Sequence, residues 1–178
     1  MIKDEGITIW NSVPAIMEMM LDNITKTEDP DFWMMDGNSQ VNINLEDNPL
    51  RLVLLSGDWI PVSLPDRIRK EYEDAKVVSL GGATEASIWS IYYPVEEVNP
   101  KWKSIPYGTP LSNQTYYVLN YRMEDCPIGV SGELYIGGKG LAQGYYRDAE
   151  KTEEAFVEHP SYGLIVLLHI RKSKFSHG

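Results

Sequence analysis

Leu52-Val53-Leu54-Leu55-Ser56-Gly57-Asp58 and Val77-Val78-Ser79-Leu80-Gly81-Gly82-Ala83-Thr84-Glu85 decide the fold. Each opens with a short, mostly apolar run and then breaks into glycine and polar side chains. An earlier run, Ile7-Thr8-Ile9-Trp10, has the same character. None alternates strictly with polar residues, so all three read as strands buried on both faces, as in a parallel sheet. Two helical patterns separate them. The first starts at Pro14, a favourable first-turn residue, and carries Ile16, Met17, Met19, Met20 and Leu21 before polarity returns at Asp22. The second starts near Ser63, with Asp66 three residues on as a capping signal, and spans 64–72 with Ile68 and Tyr72 on one face. Strand, helix, strand, helix, strand is a parallel βαβαβ unit of an α/β fold.

In such a sheet, ligands bind beyond the carboxyl ends of the strands. Those ends are Trp10-Asn11-Ser12, Leu55-Ser56-Gly57-Asp58 and the residues after Leu80. Alternation puts Leu54 and Ser56 on one face. The topology alone therefore gathers Asn11, Leu54, Ser56, Leu80 and the following loop at one crevice. In that loop, Gly81 and Gly82 allow close approach of backbone to a ligand. Thr84 could donate to a phosphate while Glu85 holds magnesium, which takes one or two carboxylates and completes its shell with water and phosphate oxygens. The same residues also read as a glycine turn with a solvated Thr-Glu pair.

Residues 25–50 are polar and acidic and read as a long surface connection, with a helical turn around 32–35. After Ser90 the prolines Pro94, Pro100, Pro106 and Pro110 punctuate the chain. Residues 115–119 and 132–136 read as strands joined through the turn region 125–129, and 148–156 as a short helix. The chain thus divides into an α/β part (1–92), a small β-rich, barrel-like part (93–163) and a tail (164–178). The tail carries Arg171, Lys172 and Lys174 and no acid, unlike what precedes it. Gly137-Gly138-Lys139-Gly140 lacks the helix a dinucleotide fingerprint requires and reads as a tight turn.

Composition narrows the function. The 178 residues hold 26 acidic and 16 basic side chains, net −10, which argues against a nucleic-acid partner. No apolar run is long enough to cross a membrane. The single cysteine, Cys126, excludes an internal disulfide and fits a reducing, cytoplasmic setting. His159, His169 and His177 show no metal-ligand spacing.

Gly81-Gly82-Ala83-Thr84-Glu85-Ala86-Ser87 resembles the Tyr-Gly-Pro-Thr-Glu motif of adenylation domains of nonribosomal peptide synthetases, which are adenylate-forming ligases. Gly132-Glu-Leu-Tyr-Ile-Gly-Gly-Lys-Gly-Leu-Ala-Gln-Gly-Tyr-Tyr146 resembles that family's next motif, and Lys151-Thr152 with Phe156 its tail. Pro106-Tyr107-Gly108-Thr109-Pro110 is similar to the connector between them. The resemblance covers roughly residues 7–163 and implies part of the N-terminal core of such a ligase. It implies ATP and a carboxylic acid as substrates, acyl-AMP and pyrophosphate as products, and transfer to the phosphopantetheine thiol of a peptidyl or aryl carrier protein beside adjacent synthetase domains.

By resemblance Thr84 contacts phosphate and Glu85 binds Mg2+. Gly57, Asp58, Gly81, Gly82 and Ala83 line the nucleotide, with Gly81 replacing an aromatic that commonly stacks on adenine. The specificity positions are Asn11, Leu54, Ser56, Leu80, Ile88 and Trp89, and this set resembles that of cysteine-activating domains of siderophore synthetases. The family's phosphate loop, ribose-binding aspartate and catalytic lysine are not found in the sequence. The expectation is an inactive fragment with a tail from a frame slip. The alternatives are a non-catalytic binding module and one half of a split ligase.

Overall fold

The computed structural model describes residues 2, 6–27 and 49–167. The chain forms two compact units, Met1–Leu80 with Tyr93–Pro106, and Gly81–Tyr92 with Tyr107–Gly178.

The first unit runs β1 (Ile9–Ser12), α1 (Pro14–Thr27), β2 (Leu52–Leu55), α2 (Leu64–Glu71) and β3 (Lys76–Gly81), whose last residue enters the second unit. The strands are parallel and in register, with Asn11 beside Leu54, Leu54 beside Val78, Ser12 beside Leu55 and Leu55 beside Ser79. β1 starts two residues later than its apolar run. The Thr8 carbonyl accepts from the N–H groups of Arg51 and Leu52, at 2.9 and 3.3 Å, and the ladder begins beyond it.

The expectation of strands buried on both faces fails among the described residues. Val53, Leu55 and Val77 are buried, but Leu52, Leu54, Val78 and Leu80 are only half-buried, and β1 has no fully buried residue. The reason is that Met17 and Leu21 of α1 and Leu64 and Ile68 of α2 share one cluster with Val53, Leu55 and Val77. Each helix contributes an i, i+4 pair to that single face. Arg67 of α2 pairs with Asp22 and with Glu18 of α1, the latter at 3.5 Å. Ile24 also packs on the cluster, so α1 continues past the polar residues that seemed to end it.

The Ser63–Asp66 capping signal is a second correction. Ser63 has helical dihedrals (φ −78, ψ −19) and makes no side-chain cap bond. The chain enters α2 through a turn, with Leu64 N–H donating to the Pro61 carbonyl at 3.0 Å. Ser63 is thereby already helical, and Asp66 meets Arg69 at 3.3 Å instead. The helical turn expected at 32–35 lies outside the described residues.

In the second unit, β4 (Ile91–Val95) begins antiparallel to β5 (Thr109–Pro110). β6 (Gln114–Leu119), β7 (Glu133–Gly138), α3 (Ala149–Ala155), β8 (Phe156–His159) and β9 (Gly163–Leu167) follow. Four of these strands make an antiparallel sheet in the order β6-β7-β9-β8. Leu134 and Ile136 pack on one face with Val118, Phe156 and Val166, and Tyr135 on the other with Leu119 and Ile165. β9 thus includes the first residues of the stretch set apart as a tail. His159 is structural: it is buried, its Nε2 lies 2.8 Å from the Met123 carbonyl, and its ring stacks on Tyr162.

Ile68 is fully buried. Ile68→Ala should cost about 2–5 kcal/mol in urea unfolding, whereas exposed Met19→Ala should stay within about 0.5 kcal/mol. Burial, with Glu71 beside it, raises the Tyr72 phenol to about 12. A raised phenol favours the folded state below its ordinary value near 10. That contribution fades as pH climbs from about 10 to about 12. Relative to Tyr72→Phe, the native chain should lose up to about 3 kcal/mol over that window.

Candidate functional site

The strand-end residues Asn11, Leu54, Ser56 and Leu80 lie in the first unit. Asn11, Leu54 and Val78 are register neighbours and share one face, and Ser56 and Leu80 lie two residues further along the same face. This is the face that α1 and α2 do not cover. Leu54, Ser56 and Leu80 are half-buried there, and Asn11 is exposed. The Ser56 N–H continues the ladder to the Ser12 carbonyl at 3.2 Å. Gly57 turns the chain at φ +84, and the Asp58 carboxylate accepts from the Trp59 N–H at 2.7 Å.

The loop after β3 lies in the second unit. Residues 84–86 form a single 3-10 turn, and the Ala83 carbonyl accepts from Ala86 at 2.9 Å and Ile88 at 3.0 Å. Ser87 and Ile88 both lie in the left-handed region, at φ 61 and 68. For a β-branched residue this is a strained conformation. Ile88 is 66% exposed, so no packing explains the strain. Gly82 has φ +146, and a Cβ there would stand 2.5 Å from the Ile88 carbonyl oxygen. Trp89 is half-buried and Thr84 exposed.

Residues 138–145 hold this loop. The Ala142 N–H donates to the Glu85 carbonyl at 2.7 Å, and the Ser87 hydroxyl donates to the Gly140 carbonyl at 2.7 Å. The Tyr145 hydroxyl donates to the Glu85 carboxylate. That bond, with the carboxylate's charge behind it, raises the Tyr145 phenol and keeps it a donor. Tyr145 is fixed in turn: its N–H donates to the Thr152 hydroxyl at 2.8 Å and its ring meets Phe156 edge-on. Gly144 is required there, since a Cβ would lie 2.5 Å from Thr152 Cγ2.

The solvated Thr-Glu pair therefore holds for Thr84 but not for Glu85. The tight-turn reading of the second glycine cluster stands, with Gly138 at φ +103. What it missed is that Gly140, Ala142 and Tyr145 form one wall of the loop. Neither cluster signals this alone; only the order of the two motifs along the chain hints at it. Among the described residues no group of three His, Cys, Asp or Glu side chains could hold a metal. One carboxylate beside one hydroxyl suits a cation that draws its other ligands from water and phosphate.

A family model described as AMP-binding enzyme matches residues 1–146. Bacitracin synthase 1 of Bacillus licheniformis is 55% identical over 161 residues, 90% of this chain and 3% of that protein. Pyochelin synthetase PchF of Pseudomonas aeruginosa is 45% identical over 160 residues, 90% of this chain and 8% of that protein. The chain thus spans a small part of the relatives it matches. A crystal structure of the nonribosomal peptide synthetase FmoA3 in its AMPPNP-bound form superposes with a TM-score of 0.79 at 36% identity, over 94% of this chain and 16% of that one. The chain belongs to the AMP-binding enzyme family, and its resemblance to adenylation domains of nonribosomal peptide synthetases extends over most of its length.

Gly82→Ala should destabilise the chain by more than about 2 kcal/mol, combining backbone strain with a clash. Gly129, at φ +83 with nothing near its virtual Cβ, isolates the strain alone. Gly129→Ala should cost about 1 kcal/mol. Thermal unfolding of the two variants checks the difference.

Proposed function

We propose that this chain is the part of an adenylation unit that binds the nucleotide and selects the amino acid. The reaction joins ATP and an amino acid to give aminoacyl-AMP and pyrophosphate, and the aminoacyl group then passes to a carrier-protein phosphopantetheine thiol. The observation that carries this reading is the loop of residues 81–90. Its backbone is strained at Ser87 and Ile88, and Glu85 is held by Tyr145 and Ala142. A strained, externally braced loop bearing a hydroxyl and a carboxylate is suited to fixing phosphate charge. Magnesium, when bound, would neutralise phosphate charge; Glu85 and Thr84 are the residues that would hold it. Gly57, Asp58 and the backbone of 81–83 are assigned to the nucleotide.

We assign L-cysteine as the amino acid. By resemblance the specificity positions are Asn11, Leu54, Ser56, Leu80, Ile88 and Trp89, a mostly apolar set of side chains with one hydroxyl and one amide. Support comes from the relatives, which include synthetases named for pyochelin. A further FmoA3 structure holds α-methyl-L-serine-AMP, whose hydroxymethyl group is the oxygen counterpart of the cysteine side chain.

The test is amino-acid-dependent ATP–pyrophosphate exchange. The chain alone should give none. Substituted for the equivalent segment of a complete adenylation domain, it should confer exchange with cysteine above serine, alanine and valine. Exchange with another amino acid and not cysteine would overturn the assignment. In the same chimaera, Glu85→Gln should lower exchange about 100-fold or more.

A further inference from the structure

Gly81 is a glycine for want of space and not for conformational freedom. It ends β3 and does not lie in the positive-φ region. A Cβ on it would stand 2.7 Å from Tyr107 Cζ, 3.0 Å from Tyr107 Cε2 and 3.0 Å from Ile91 Cγ2. The Tyr107 ring thus occupies the volume that a side chain at position 81 would need. Gly81 and Tyr107 are a matched pair, one reduced to hydrogen so that the other can enter.

The ring is also fixed. The Gly82 N–H donates to its hydroxyl, and its edge meets the Tyr116 ring with centroids 6.5 Å apart at 70°. Tyr116 is anchored in turn, its hydroxyl 2.6 Å from the Ser90 Oγ. Burial raises both phenols, so both stay protonated at neutral pH. Yet Tyr107 is only half-buried, and it sits against the first two residues of the loop assigned to the nucleotide. A rigid, partly open aromatic surface at the start of a phosphate-binding loop is what a planar base stacks on. Because its neighbours already hold the ring, little side-chain freedom is lost when a base arrives.

We infer that Tyr107 is the aromatic wall of the nucleotide subsite and stacks on the purine base of AMP or ATP. The inference rests on the nucleotide reading of residues 81–90 given above.

The experiment is calorimetric titration of the 178-residue chain with two probes, AMP and ribose 5-phosphate, which lacks the base. The native chain should bind AMP more tightly than ribose 5-phosphate. Tyr107→Phe should keep that difference. Tyr107→Leu, which still fills space beside Gly81, should weaken AMP about 10- to 100-fold and leave ribose 5-phosphate unchanged. Gly81→Tyr combined with Tyr107→Ala returns a ring to the same volume and should recover part of the loss. A purely structural role would weaken both probes together and overturn the inference. Unchanged AMP affinity in Tyr107→Leu would also overturn it, while leaving the nucleotide reading intact. A native chain that binds neither probe would overturn the nucleotide reading and the inference with it.

Discussion

Glu85 is held at both ends by one segment some sixty residues away: its carboxylate accepts the Tyr145 hydroxyl and its carbonyl accepts the Ala142 N–H. Left-handed backbone at two successive non-glycine residues costs about 1–3 kcal/mol each. A bond between neutral groups contributes about 0.5–1.5 kcal/mol net, and one to a charged group more. Three bonds from 138–145, with those inside the loop, are on the scale needed to offset that strain. The rest of the second unit follows from this requirement. Gly138 turns the chain out of β7, Gly144 admits Thr152, and Phe156 backs the Tyr145 ring. The two motifs are far apart in sequence because each is half of one device.

The first unit works by a simpler constraint. Two short helices bury one face of a parallel sheet and leave the other half-covered. The half-covered face carries Asn11, Leu54, Ser56 and Leu80. Unequal burial of the two faces and the candidate pocket have one cause, the placement of both helices on the same side.

Much of this was legible in sequence. The apolar runs located the parallel strands, and strand alternation put Asn11, Leu54, Ser56 and Leu80 on one face before any register was known. What failed did so for identifiable reasons. β1 slipped because pairing with Arg51 and Leu52, not apolar content, sets where the ladder starts. Ser63 did not cap because Pro61 already begins the turn. β4 contains Pro94, exposed, and was not among the strands read from the sequence, and β9 opens a stretch whose charge looked foreign. The ties from Gly140, Ala142 and Tyr145 to the loop were invisible because they depend on tertiary placement, which no local period encodes. The resemblance to adenylation domains supplied what periodicity could not, by setting both motifs in one order.

The bonds between residues 81–90 and 138–145 should make the two segments respond to a nucleotide as one element. Amide hydrogen exchange, followed by mass spectrometry with and without AMP, tests it most directly. AMP should slow exchange in both segments together and leave β8 and β9 unaffected. Protection of one segment without the other, or only of residues outside both, would contradict it.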